Sequence, residues 1–149
     1  MEEKNWQLLP ACSKEAERLD IILACDGAAS VGQVGHEVAV KLTKETGGEA
    51  RMCCITAIGA GSKPHVRIAE KAKKLIVING CQNRCASKIL EQLNIKPTYE
   101  IVIAEEGVDK KPTLDFDEED VERIAKKISS EVSKHPVPDN AKLKGEGKK

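Results

Sequence analysis

The chain has 149 residues, enough for one domain with a real core. Lys plus Arg and Asp plus Glu each number 24, so the formal net charge is zero, which argues against a broad basic field for nucleic acid and against an acidic tail. With one Trp, one Tyr and one Phe, the chain lacks the stacking platforms of single-strand binders, and its core must be aliphatic.

In chain order, residues 1–19 read as a polar arm carrying Trp6, Leu8 and Leu9. The first residues show no basic segment followed by an apolar stretch, so no signal peptide is expected. No apolar run approaches the roughly 18 residues of a membrane span. The expectation is a soluble, cytoplasmic protein without membrane or nucleic-acid partners. In a reducing compartment, six cysteines serve as ligands or redox groups more readily than as a disulfide framework.

Asp20 to Cys25 is a short apolar run that predicts a buried strand, followed by a small-residue loop, Asp26 to Ser30. Val31, Val34, Val38 and Leu42 recur at helical spacing, with Ser30 as a candidate cap and Gly47-Gly48 as a left-handed stop. Ala50 to Thr56, including Cys53 and Cys54, fits a second strand, and Ala57 to Lys63 a glycine-rich loop. His65 to Ala72 predicts a modest helix, and Leu75 to Asn79 a third strand. Cys85 to Leu93 returns to helical spacing, and Tyr99 to Ala104 predicts a fourth strand. After a loop over residues 105–116, Asp117 to Val132 has the clearest helical stripe, with acidic residues in its first turn. Residues 135–149 read as a solvated, lysine-rich tail.

Strand and helix alternate four times, and the strands are continuous apolar runs. That pattern predicts an α/β fold over residues 20–134: a small, doubly wound, mostly parallel sheet of about four strands with helices on both faces, Rossmann-like or flavodoxin-like. Ligands in such sheets sit outside the carboxyl ends of the strands.

The cysteines follow that geometry. Cys25 ends the first strand, Cys54 lies at or near the end of the second, Cys81 follows the third, and Cys85 opens the next helix. All four fall at the C-terminal edge of a parallel sheet. Cys12 does not fit the pattern, and Cys53 should face away from Cys54 in a regular strand. Side chains at i and i+4 stand about 5–6 Å apart, and tetrahedral zinc with Zn–S near ~2.3 Å needs sulfurs roughly 3.8 Å apart, so Cys81 and Cys85 can share an ion. Four thiolates on zinc carry about two net negative charges, which nearby Arg84 or Lys88 would offset. Spacing alone leaves three readings open: a metal site, buried cysteines acting as small hydrophobes, and a Cys81/Cys85 redox pair.

Cys25-Asp-Gly-Ala-Ala-Ser30 with Val31-Gly-Gln33, then Cys54-Ile-Thr-Ala-Ile-Gly59, then Asn79-Gly-Cys81 with Cys85, resemble the DGC-domain family of zinc-binding proteins. The resemblance runs from about Ile21 to Pro112 and implies zinc as the cofactor. It maps the family's four chelating cysteines onto Cys25, Cys54, Cys81 and Cys85. Cys12 and Cys53 have no counterpart, and the aspartate of the naming motif is Asn79 here.

Other motifs carry less. Gly27, Gly32 and Gly35 do not have dinucleotide-loop spacing and read as points of close backbone approach. Residues 26–35 contain no arginine, which disfavours a cysteine phosphatase loop. His36 reads as a surface or packing residue, and His65 is the one histidine placed as a substitute ligand. The sequence therefore predicts zinc binding through Cys25, Cys54, Cys81 and Cys85, as a structural clasp or a metal-handling site. A closed four-thiolate shell disfavours hydrolytic catalysis. The alternatives are a thiol redox protein using Cys81 and Cys85, or a protein-interaction adaptor.

Overall fold

A computed structural model describes residues 4–137. Most of the expected tail, from residue 138 on, lies outside the described residues. Four strands form one sheet: β1 (Asp20–Ala24), β2 (Ala50–Met52), β3 (Lys74–Asn79) and β4 (Tyr99–Val102). All pairings are parallel, and the order across the sheet is β2-β1-β3-β4. The helices are α1 (Cys12–Glu15), α2 (Ser30–Glu45), α3 (Ile55–Gly59), α4 (Lys63–Lys71), α5 (Cys85–Gln92) and α6 (Glu118–Lys134).

The strands alternate their side chains between two apolar layers, as a period of two dictates. Ile22, Ala24, Ile76, Ile78 and Ile101 pack against α2 and α6. Ile21, Leu23, Leu75 and Val77 pack on the other face, against α3, α4 and α5. Because β1 and β3 are covered on both sides, they read as unbroken apolar runs. The expected α/β doubly wound fold is therefore present, with helices on both faces. Among the described residues no helix is long and apolar enough to cross a membrane.

Several expected boundaries need correction. The second strand stops at Met52 rather than Thr56, so Cys53 and Cys54 lie beyond it. Ile55 and Thr56 are β-branched and suggest strand, yet Ile55 and Ile58 turn onto the second apolar layer as one face of α3. The glycine-rich loop over residues 57–63 thus shrinks to a short turn between α3 and α4. The fourth strand ends at Val102, and Ile103–Glu105 form a 3-10 turn. Ser30 is not the cap of α2: Ala29 holds that place, and the Ser30 hydroxyl is used elsewhere. Gly47 and Gly48 do end α2 with positive φ values of 63° and 88°. Residues 12–19 contribute Ala16 and Leu19 to the second apolar layer.

Candidate metal centre

The helix α2 leaves β1 toward β2 on one face, while α5 leaves β3 toward β4 on the other. Connections from the adjacent strands β1 and β3 therefore diverge, which opens a crevice at their carboxyl ends. Cys25 immediately follows β1 and Cys81 follows β3 by two residues, so they flank this crevice. Cys25 continues the ladder through its N–H, which donates to the Ile78 carbonyl at 3.0 Å. Cys53 extends β2 in the same way, its N–H donating to the Ile22 carbonyl at 2.9 Å. That places Cys54, the residue before α3, at the same edge, one strand over from Cys25. Cys85 opens α5.

The four sites thus share one edge across three adjacent strands about 4.8 Å apart. Cys54 and Cys85 are exposed, and Cys25 and Cys81 are half-buried. Their sulfurs are not drawn into one shell. Among the described residues, no three His, Cys, Asp or Glu side chains are grouped closely enough to hold a metal ion.

The backbone around these residues is under local constraint. Three non-glycine residues among those described have positive φ, and two of them abut a candidate cysteine: Asp26 (56°) after Cys25, and Arg84 (50°) before Cys85. An arginine in the left-handed region costs on the order of 1 kcal/mol and persists only where the surroundings impose it. Asp26 is held by His36, whose Nδ1 lies 2.9 Å from Asp26 Oδ1. Glycines make the crevice narrow. A Cβ on Gly32 would lie 2.2 Å from the Gly27 carbonyl oxygen, so no other residue allows the β1–α2 loop to fold back on the helix.

Asn79, fully buried at the end of β3, ties the Cys81–Cys85 segment down. Its Nδ2 donates to Ser87 Oγ at 2.7 Å, and its Oδ1 accepts the Ser87 N–H at 3.2 Å. An aspartate in this position would accept from both groups, so Asn79 can do the same positioning work as a neutral amide.

Donors reach two of the sulfurs. Asn83 Nδ2 lies 3.0 Å from Cys85 Sγ, and Lys110 Nζ lies 3.6 Å from Cys81 Sγ. Arg84 and Lys88, the cations expected near the site, are engaged elsewhere. Arg84 pairs with Glu100 at 3.2 Å, and Lys88 donates to Asn83 at 3.3 Å. Lys110 is a residue that sequence reasoning missed. Its loop is fastened over the edge by Ser30, whose hydroxyl donates to the Asp109 carbonyl at 2.7 Å and accepts the Lys111 N–H at 2.8 Å. With 29 positions separating Lys110 from Cys81, no local pattern announces the contact.

The remaining cysteines form a separate neighbourhood. Cys12 and Cys53 are half-buried against the second apolar layer. Burial pushes the Cys53 thiol up to about 11, with the neighbouring thiols adding to the effect. His65, the candidate substitute ligand, is bound through Nδ1 to Ser62 Oγ at 2.7 Å at the start of α4.

The family model described as the DGC domain matches residues 21–128. The chain is 27% identical over 106 residues to "Anaerobic and virulence modulator AnvM" of Pseudomonas aeruginosa, covering 71% of this chain and 79% of that protein. No solved structure shows a significant match.

Proposed function

The chain belongs to the DGC-domain family, and on that premise we propose that it binds one zinc ion through Cys25, Cys54, Cys81 and Cys85. The observation that supports this most is placement. Four thiols distant in sequence stand at the carboxyl edge of three neighbouring strands, two of them on either side of the crevice where the connections diverge. Cysteine thiolates are suitable zinc ligands, and zinc bound there would supply charge and a cross-link between loops. Asn79 and Ser87 hold the Cys81–Cys85 segment, and Lys110 offsets part of the negative charge of a tetrathiolate. A closed shell offers no open position for a nucleophilic water, so the centre acts as a clasp or as a metal-handling site.

Metal analysis of protein purified under reducing conditions tests the proposal. About one zinc per chain is expected, and C25S, C54S, C81S and C85S should each lower it by at least about tenfold in affinity, whereas C12S and C53S should not. Metal-free protein that forms a reversible Cys81–Cys85 disulfide would replace this reading with thiol redox chemistry.

A further inference from the structure

The two margins of the sheet are finished differently. At the β2 margin the outward N–H groups are used: that of Ala50 donates to Thr46 Oγ1 and that of Met52 to Thr43 Oγ1, both at 3.0 Å. Arg51 Nε donates to the Pro10 carbonyl at 3.0 Å, which lays the N-terminal segment beside the strand. The β4 margin has no such cover. The Cys25 N–H donates to the Ile78 carbonyl, so Ile78 and, by alternation, Ile76 turn their backbone groups toward β1. Leu75, Val77 and Asn79 therefore serve β4, and the residues they bond there are Tyr99 and Ile101. The N–H and C=O of Glu100 and Val102 are left facing outward, and among the described residues no strand lies beyond β4.

The groove along that margin has a volume of about 360 Å³ and is acidic. Glu100, Glu105, Glu106 and Glu131 stand there against Arg84 and Lys127. Both cations are already paired, Arg84 with Glu100 at 3.2 Å and Lys127 with Glu106 at 2.6 Å. We propose that the β4 margin is a docking surface for an extended, lysine-bearing segment of another protein, which adds to the sheet as a fifth strand. The backbone groups of Glu100 and Val102 supply the attachment, and lysines at alternate positions of the guest reach the surplus carboxylates. A second copy of this chain is a poor guest, because pairing two β4 margins would set carboxylates against carboxylates. Glu100 and Val102 are not among the four proposed zinc ligands, so the two readings stand or fall separately.

The test follows amide hydrogen exchange by NMR in the full-length chain, with a synthetic hexapeptide that alternates lysine with valine as the probe. In the free chain the Glu100 and Val102 amides should exchange at least about tenfold faster than those of Tyr99 and Ile101, which are bonded to β3. Saturating peptide should slow the Glu100 and Val102 amides by about tenfold or more. The same peptide with glutamine in place of lysine should bind at least about tenfold more weakly, and so should the lysine peptide to a chain carrying Glu100→Lys and Glu105→Lys. Glu100 and Val102 amides already protected in the free chain would mean that the chain itself or a second copy fills the margin, and would overturn the proposal. Failure of the lysine peptide to bind, or equal binding of the glutamine peptide, would overturn it as well.

Discussion

The last residue of β3 and the first residue of β1 place two polar side chains at opposite ends of one sheet, and they fare differently. Asn79 is fully buried and spends both ends of its amide on Ser87. Asp20 leaves Oδ1 buried without a hydrogen-bond partner, and burial pushes its carboxyl up while Lys73 and Lys74 pull it back. Around Asp20 the other groups are tied. Lys74 Nζ donates to the Val132 carbonyl at 2.8 Å, closing the end of α6, and Thr98 Oγ accepts the Leu75 N–H at 2.9 Å. The amino end of the sheet is thus shut by the fold and tolerates one imperfect group. The carboxyl end is held more strictly at Asn79, yet it presents exposed thiols and strained turns to solvent. Rigidity under an open surface is what a binding site needs.

Removing the Asn79 amide should break the contrast most. Asn79→Ala leaves the Ser87 N–H and hydroxyl unpaired in a buried setting and should cost about 2–4 kcal/mol in urea unfolding. On the proposed zinc reading, metal content should fall with it, because the Cys81–Cys85 segment loses its tie. Unchanged stability would show that the amide is not what holds this end.

A smaller effect is expected at Arg84. Arg84→Gly and Arg84→Ala both lose the Glu100 pair, but only alanine keeps a Cβ at positive φ. The glycine variant should be more stable than the alanine variant by about 1 kcal/mol. Equal melting temperatures would mean that the turn relaxes and stores no strain.

Asp20→Asn gives the smallest effect and carries a pH signature. Since the folded carboxyl is raised above its ordinary value of 3.8, the folded chain holds the proton more tightly than the unfolded chain. Its contribution is fully present below that value and is lost as pH rises through the folded value. The asparagine variant should therefore gain on the wild type as pH goes from about 3 to about 7. The gain should stay below about 1 kcal/mol after solvent screening. A variant that gains most under acid would reverse the sign and refute the assignment.

How far the sequence reaches is visible in particular residues. The unbroken runs Ile21 to Ala24 and Leu75 to Ile78 announce central parallel strands, because both faces of each are covered. The stripe Val31, Val34, Val38, Leu42 announces α2. Cys53 and Cys54 show where local reading fails. Their segment looks extended, yet β2 is an edge strand paired over three residues, and packing of Ile55 and Ile58 turns the chain into a helix instead. The same packing sets Cys53 against the second apolar layer, a position with no local signature. Ser30 similarly resembles a helix cap but anchors the loop that delivers Lys110.

Periodicity and spacing by themselves determined the sheet, its parallel sense and the edge on which four cysteines fall, since each depends on side-chain alternation along short segments. Only the tertiary structure decided which groups meet there: Asn79 with Ser87, and Lys110 with Cys81. Such contacts join residues far apart in the chain, and their cost and benefit are set by packing rather than by local propensity.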